Sequence, residues 1–337
     1  MNDAKRVVLA AMKYRRFGNT GLSVSEIGFG TWGLGGDAYG PTDDAQSVAC
    51  LHHALEKGIN FFDTSDLYGN GHSEEVVGAA LKDRRARALI ATKGGLLPHS
   101  GFHMPTDFSA GYIRQAFEAS LARLKTDYVD LYQLHSPELS HLRDNPDVLE
   151  ILRSLKETGD ARAIGLSARS PKDALAALAI FPFDSVQVNF NLIDQRADDD
   201  DLFAYADKHN VAIIARTPLC FGYLTGRLTG SKTDFVGRDH RANWPEDQLR
   251  RWADAPGLFN GLIEKRGCSP AQLALLFCLS PASVCATIPG MMTLSEVDAN
   301  ASTSDMAPLT NAELAEIRAI YRSNTFYDAN AKSRGKL

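Results

Sequence analysis

The sequence has no CxxC pair, no basic excess, no low-complexity run and no apolar run long enough to cross a bilayer. Its five cysteines, Cys50, Cys220, Cys268, Cys278 and Cys285, are odd in number and widely spaced. That argues against a disulfide framework and fits a reducing compartment, so the cytoplasm is the expected location. The longest apolar stretch, "AQLALLFCL" around Leu275, falls far short of the roughly 20 residues that a membrane span needs. Near the start, the apolar run Val7 to Met12 is too short for a signal sequence and is followed by Lys13. Residues 1–11 therefore read as a disordered extension. Lysine and arginine number 36 against 41 aspartates and glutamates, a net charge of −5 with the cations scattered, so neither nucleic acid nor an anionic membrane is an expected partner. Metal ligands are also missing: no H-x-H closes a strand, and His99 and His103, although helically spaced, lie in "PHSGFHMP", where proline and glycine prevent a helix. No metal is expected.

The Gly28-x-Gly30-x-x-Gly33 spacing in "SEIGFGTWGLGG" matches a dinucleotide-binding turn on paper. That turn needs a helix starting on its third glycine. Here further glycines and Pro41 come before any helical periodicity, and no acidic residue stands at the ribose position about 20 residues on. A tight strand exit is the better reading.

The chain is 44% apolar and 23% charged, ordinary for a globular protein with a large core. Short apolar runs alternate with longer amphipathic stretches throughout. The runs are "SEIGF", Ile59 to Thr64, Ala88 to Lys93, Tyr128 to His135, Ala161 to Ser167, Ser185 to Phe190, Val211 to Arg216 and Ser283 to Gly290. Between them lie helical patterns such as "DDAQSVACLHHALEKG", with Asp44 in its first turn and Gly58 as its stop. Others centre near Glu75, Tyr112, Val148, Asp173, Leu202, Gln272 and Glu296. Eight apolar strands, each followed by a helix, indicate a parallel sheet buried on both faces, and the count favours a closed (β/α)8 TIM barrel. One barrel domain is expected over residues 12–325, with a tail at 326–337. "KYRRFGNTGLSVSEI" reads as an N-terminal β-hairpin that plugs the barrel bottom, and Thr229 to Trp252 as a long loop at the C-terminal face.

In such a barrel the chemistry sits at the carboxyl ends of the strands. The second expected strand ends in Asp63, the third in Lys93 and the fourth in His135, and Tyr68 follows in the loop "DTSDLYGNG". Neighbouring strands about 4.8 Å apart bring the three strand-end side chains within roughly 10 Å, with Lys93 between the other two. A lysine cation stabilises phenolate and lowers a tyrosine pKa from about 10, while a carboxylate keeps the lysine charged. Tyr68 then becomes a proton donor to a carbonyl oxygen, with His135 as a second hydrogen-bonding partner.

The segments "GFGTWGLGG", "INFFDTSDLYGNGHSEEVVG", "LIATK", "DYVDLYQLH", "IGLS", "VQVNFN", "TPL", the G-x-L-T-G run at Gly222 to Gly226 and "IPG" resemble those of the aldo-keto reductases, in order, from about Tyr14 to Tyr321. The resemblance implies a (β/α)8 barrel that binds an extended NAD(P)(H) without a Rossmann turn and exchanges hydride with a small carbonyl or alcohol substrate. It places the catalytic tetrad on Asp63, Tyr68, Lys93 and His135, and the nicotinamide carboxamide on Ser167 and Gln187. Arg216 takes the place of an aromatic that stacks on the nicotinamide, which a guanidinium plane can also do. Thr217, Leu219, Gly222 and Leu224 match the loop along the pyrophosphate, Asn300 an adenine contact and Trp32 the substrate pocket. Two departures stand out. Ala168 replaces a carboxamide-binding asparagine, and "PGMMTLSEVDAN" (Pro289 to Asn300) contains no lysine or arginine to pair a 2′-phosphate. Gly290, Met292 and Glu296 fill those positions. Glu296 repels a phosphate or binds a free ribose hydroxyl, which favours NAD over NADP unless Arg227, Arg238 or Arg241 reaches in from the long loop. The rival to an enzyme is a dinucleotide-binding sensor that has lost turnover.

Overall fold

Period-two alternation along each strand sends one set of side chains into a barrel and the other outward to a ring of helices. In the computed structural model, which describes residues 12–98, 105–229, 235 and 239–327, the barrel strands are β3 (Phe29–Gly30), β4 (Phe61–Asp63), β5 (Leu89–Gly94), β6 (Leu131–His135), β7 (Ile164–Ser167), β8 (Ser185–Asn189), β9 (Ala212–Arg216) and β10 (Val284–Thr287). They pair in parallel and in chain order. The seam between first and last is closed by Gly28 N donating to Thr287 O (2.8 Å), Gly30 N to Pro289 O (3.0 Å) and Thr287 N to Glu26 O (2.9 Å). The expected barrel is therefore present. Residues 1–11, His99, His103, Arg238 and the tail beyond residue 327 lie outside the described residues.

The hairpin forms from β1 (Tyr14–Arg16) and β2 (Ser23–Ser25), which pair antiparallel. Phe17 at its turn is fully buried among Leu22, Phe61, Leu131, Ala212 and Ile214, inside the lower barrel. Small inward residues such as Ala91, Ala163 and Ala212 leave room for that ring. Outward residues, among them Phe62, Ile90, Tyr132, Leu134, Val186 and Ile213, pack against the helices in a larger core.

Several strands are shorter than the runs read from sequence, β6 beginning at Leu131 and β7 at Ile164, and two differences are larger. Ser25 closes the hairpin, so the first barrel strand is only Phe29–Gly30. The segment Thr229 to Trp252 is not loop throughout: a 3-10 turn spans His240–Asn243, and a helix spans Glu246–Asp254. Trp252 on that helix is fully buried, an apolar anchor that a reading by overall polarity overlooks. All five cysteines are free and buried. Among the described residues no helix is long and apolar enough to cross a membrane, and no group of three or more His, Cys, Asp or Glu is placed to hold a metal ion.

Candidate active site

The inward positions change character with height. Apolar at the bottom, they become Asp63, Lys93, Gln133, His135, Ser167, Gln187 and Arg216 at the carboxyl end. Strand register aligns these levels: Lys93 stands opposite Gln133, His135 opposite Ser167, and Ser167 opposite Gln187. The buried Lys93 ammonium donates to Asp63 Oδ1 at 2.6 Å, Thr64 O at 2.7 Å and the Tyr68 hydroxyl at 3.1 Å. An ammonium has three protons, so all are committed and the group is fixed in direction. The second oxygen of Asp63 accepts from Gln187 Nε2 (2.7 Å) and Gln133 Nε2 (3.2 Å). A buried carboxylate is thereby fully solvated by protein donors.

Burial pulls the proton affinity of Lys93 down, but Asp63 and Tyr68 more than offset it, so its pKa is raised and it remains a cation. For Tyr68 the balance departs from the sequence reading. Burial raises its pKa, Lys93 opposes this, and the net value stays above that of an ordinary tyrosine. Desolvation of a buried phenolate outweighs one nearby cation here. The resting group is a neutral phenol, aimed by its lysine. His135 is held well below its ordinary pKa by burial, then by Lys93 and Arg216, and is a neutral imidazole. Its ring stands 6.0 Å from the Tyr68 ring at 83°, and its Nδ1 lies 3.0 Å from Ser65 Oγ.

The opening glycines serve close approach. A Cβ on Gly30 would lie 2.7 Å from Ile288 O in the barrel seam, and one on Gly35 would lie 2.6 Å from Gly69 N and 2.8 Å from Tyr68 C. Asp37 Oδ2 accepts from Gly69 N at 3.1 Å. The segment that resembles a dinucleotide turn thus clamps the loop that carries Tyr68.

Arg216 Nη2 donates to Ala168 O at 2.9 Å, and Nη1 reaches Ser167 Oγ at 3.5 Å. Among the described residues its buried Nε has no hydrogen-bond partner. Gln187, expected at a carboxamide, gives its amide nitrogen to Asp63 instead, which leaves its oxygen as the available atom. Thr217, Leu219, Gly222 and Leu224 follow β9 in one loop, where Thr217 (φ 57°), Cys220 (φ 43°), Phe221 (φ 55°) and Gly222 (φ 93°) are left-handed. Three of these are not glycine and carry strain of order 1 kcal/mol each. Thr217 is held there by Asn189 Oδ1 (3.0 Å) and by Asn191 Nδ2 on its carbonyl (2.9 Å). Within the loop Cys220 N donates to Thr217 O (3.0 Å), and Gly222 N and Leu224 N both donate to Leu219 O (2.9 and 3.1 Å), which fixes it as a tight run of turns.

Gly290 bridges Gly30 across the seam, and the Met292 sulfur packs under Gly33. Glu296 and the buried Asn300 lie on the helix Leu294–Ala301. Arg227 does reach in, pairing with Glu296 Oε1 at 3.1 Å, while Glu296 Oε2 accepts from Met292 N at 2.8 Å. Arg241 is instead held by Asp239 and lies over the Tyr39 and Phe235 rings.

Trp32 leans towards Tyr68 (ring centroids 6.3 Å) and continues into Tyr39 (5.6 Å), Phe221 (6.2 Å) and His240 (4.6 Å). Sequence reasoning found Trp32 alone, because the other rings come from three separate loops. It also missed Gln133, which the strand period reveals two residues before His135, and Ser65, which lies inside the quoted tyrosine loop.

The sequence profile of the Aldo/keto reductase family matches residues 26–322. The chain is 34% identical over 253 residues to "Aldo-keto reductase YhdN" of Bacillus subtilis (strain 168), covering 74% of this chain and 75% of that one. Among solved structures, an aldo-keto reductase from Bacillus halodurans in its holo form superposes with a TM-score of 0.76 at 30% identity, over 95% of this chain and all of the other. A glycerol dehydrogenase from Gluconobacter oxydans superposes with a TM-score of 0.77 at 31% identity, over 96% and 98% respectively.

Proposed function

The chain belongs to the aldo/keto reductase family, and from that premise we propose that it is an NAD(P)(H)-dependent oxidoreductase acting on small aldehydes, ketones, alcohols or sugars, with Tyr68 as general acid and base. The observation that carries this reading is the Lys93 ammonium held between the Asp63 carboxylate and the Tyr68 hydroxyl.

Residues fit for the dinucleotide are in place. Arg216, Ser167 and the Gln187 oxygen would hold the nicotinamide end, the left-handed loop from Thr217 to Leu224 the pyrophosphate, and Gly290, Met292, Glu296 and Asn300 the adenosine end. When bound, the dinucleotide supplies or receives the hydride. Tyr68 gives its proton to the carbonyl oxygen in reduction, and Lys93, kept charged by Asp63, stabilises the phenolate until solvent reprotonates it. His135 contributes a neutral ring nitrogen to the same oxygen. In oxidation the phenolate removes the alcohol proton. Trp32, Tyr39 and Phe221 give the mouth an aromatic wall suited to the C–H faces of a polyol or sugar, consistent with the glycerol dehydrogenase named among its structural neighbours.

The choice between dinucleotides follows from one ion pair. Both oxygens of Glu296 are occupied, one by Arg227 and one by Met292 N. With Glu296 intact the site favours NAD(H), because a 2′-phosphate would meet its carboxylate and must draw Arg227 away. Titrating purified protein with both dinucleotides, followed by turnover on glyceraldehyde, dihydroxyacetone, glycerol and aldoses, tests the proposal. Dinucleotide binding with no turnover on any of them would favour a sensor instead.

A further inference from the structure

His135 meets the site through Nε2 alone, because its Nδ1 is engaged by Ser65 Oγ at 3.0 Å. The same serine oxygen accepts from Leu67 N at 3.2 Å and lies 3.1 Å from Asp66 Oδ1. A hydroxyl has one proton to donate and two lone pairs, and one of those lone pairs is taken by Leu67. Ser65 can therefore donate to Asp66 and accept from His135, or accept from Asp66 and donate to His135. It cannot do both. Which pattern holds depends on whether Asp66 carries a proton, since a carboxylate only accepts. We propose that Asp66, acting through Ser65, sets which nitrogen of His135 bears the proton and thereby which direction of the reaction the site favours, an inference that rests on the oxidoreductase reading.

The proton count closes. With Asp66 ionised, the Ser65 hydroxyl points to Asp66, His135 carries its proton on Nδ1, and Nε2 offers a lone pair that receives the alcohol O–H as it binds, before that proton passes to the Tyr68 phenolate. A separate proton, taken from solvent water as pH falls, forms an N–H bond at Nε2. The Nδ1–H proton then passes to Ser65 and the original serine proton to Asp66. One proton has entered, Asp66 holds it, and the imidazole is neutral before and after. Nε2 is now a donor matched to a carbonyl oxygen. The ionised state assists oxidation and the protonated state assists reduction.

The surroundings of Asp66 place this change in the useful range. Burial pushes its carboxyl up to about 7, with Glu74 on the helix His72–Leu81 adding to the effect. Ser65, then Arg123 on the helix Ala110–Leu124, and the Leu67 amide oppose it. Tyr112 on that second helix and Tyr132 on β6 also face it, both with pKa values raised chiefly by burial and so neutral. Asp66 N donates to Lys93 O at 3.3 Å, which ties the residue to β5. His135 itself is kept neutral by burial first, and then by Lys93 and Arg216, which face it. Asp66 is thus a positioning residue.

Histidine-selective 15N NMR of the full chain reads the tautomer directly, with His135→Gln to assign the signal. Expected is an Nε2–H ring at about pH 6 and an Nδ1–H ring at about pH 8.5, with the exchange abolished in Asp66→Asn and in Ser65→Ala. One tautomer at both pH values overturns the proposal. The kinetic counterpart is the pH profile of kcat in each direction. In wild type, reduction should fall and oxidation rise roughly tenfold across that range; in Asp66→Asn both profiles should lose the inflection near 7 while cofactor Kd is unchanged. A variant that keeps the wild-type inflection refutes the assignment. A wild type that turns over nothing in either direction defeats the oxidoreductase reading and the directional claim with it, whereas the NMR result still decides whether Asp66 controls His135.

Discussion

Lys93 spends one of its three protons on the Tyr68 hydroxyl, across 3.1 Å, from a position with no solvent exposure. That single contact aims a phenol whose burial keeps it protonated. Tyr68→Phe removes the transferable proton and almost no volume. Turnover should fall by about 10²-fold or more, with dinucleotide affinity, read by fluorescence quenching, close to wild type. Loss of binding with retained chemistry would reject Tyr68 as the acid.

The buried pair of Lys93 with Asp63, at 2.6 Å, makes the lysine a stability element as well. Lys93→Met leaves the Asp63 carboxylate buried with only Gln133 and Gln187 as donors. Breaking a buried ion pair from one side costs about 3–5 kcal/mol, and the two amides place the effect at the lower end. Urea denaturation should report that loss, and kcat should drop together with it. A variant as stable as wild type would show that Asp63 takes up a proton without cost, contrary to the fully bonded geometry seen here.

Much of this was legible in the sequence because it depends on strand period and strand ends. Asp63 and His135 close their strands and Lys93 stands one residue before the end of its own, so their convergence follows from barrel geometry. Gln133 was equally accessible by the same period, yet an amide among charged neighbours drew no attention. What could not be read is what depends on loop conformation: Asp37 on the Gly69 amide, the Arg227–Glu296 pair, and the packing of His240 on Trp32. The pKa of Tyr68 lay beyond sequence for a different reason. Its sign is a difference between burial and Coulomb attraction, and only coordinates give the burial.

Arg227 and Glu296 supply the prediction about cofactor choice. Their pair is largely exposed on the arginine side, so it contributes at most about 1 kcal/mol to stability. Its chemical effect is larger, because it engages the cation that meets Glu296 itself; Lys57 also pairs within this segment, but on Asp298 at 2.7 Å. Glu296→Gln should free Arg227, remove the repulsion and raise NADP(H) affinity by about tenfold relative to NAD(H), with little change in melting temperature. An unchanged ratio of the two dissociation constants would remove the electrostatic argument for NAD(H).

Asp66 offers a test that needs no substrate. Its folded pKa of about 7 lies above the ordinary value of 3.8, so the folded state binds a proton more tightly than the unfolded one. The sign follows: Asp66 contributes stability that is complete below the unfolded pKa and is lost as pH rises through about 7. At about 1.4 kcal/mol per tenfold change in proton affinity the ceiling is about 4 kcal/mol. The residue is not wholly removed from solvent, so ~2 kcal/mol is the expected size. Asp66→Asn should match wild type only below about pH 4, gain on it progressively as pH rises to about 7, and exceed it by that amount at about pH 8.5, in thermal or urea denaturation. Should the two proteins differ equally at both ends of this range, Asp66 would be an ordinary ionised carboxylate in the fold, and the serine beside it would have only one direction in which to point its proton.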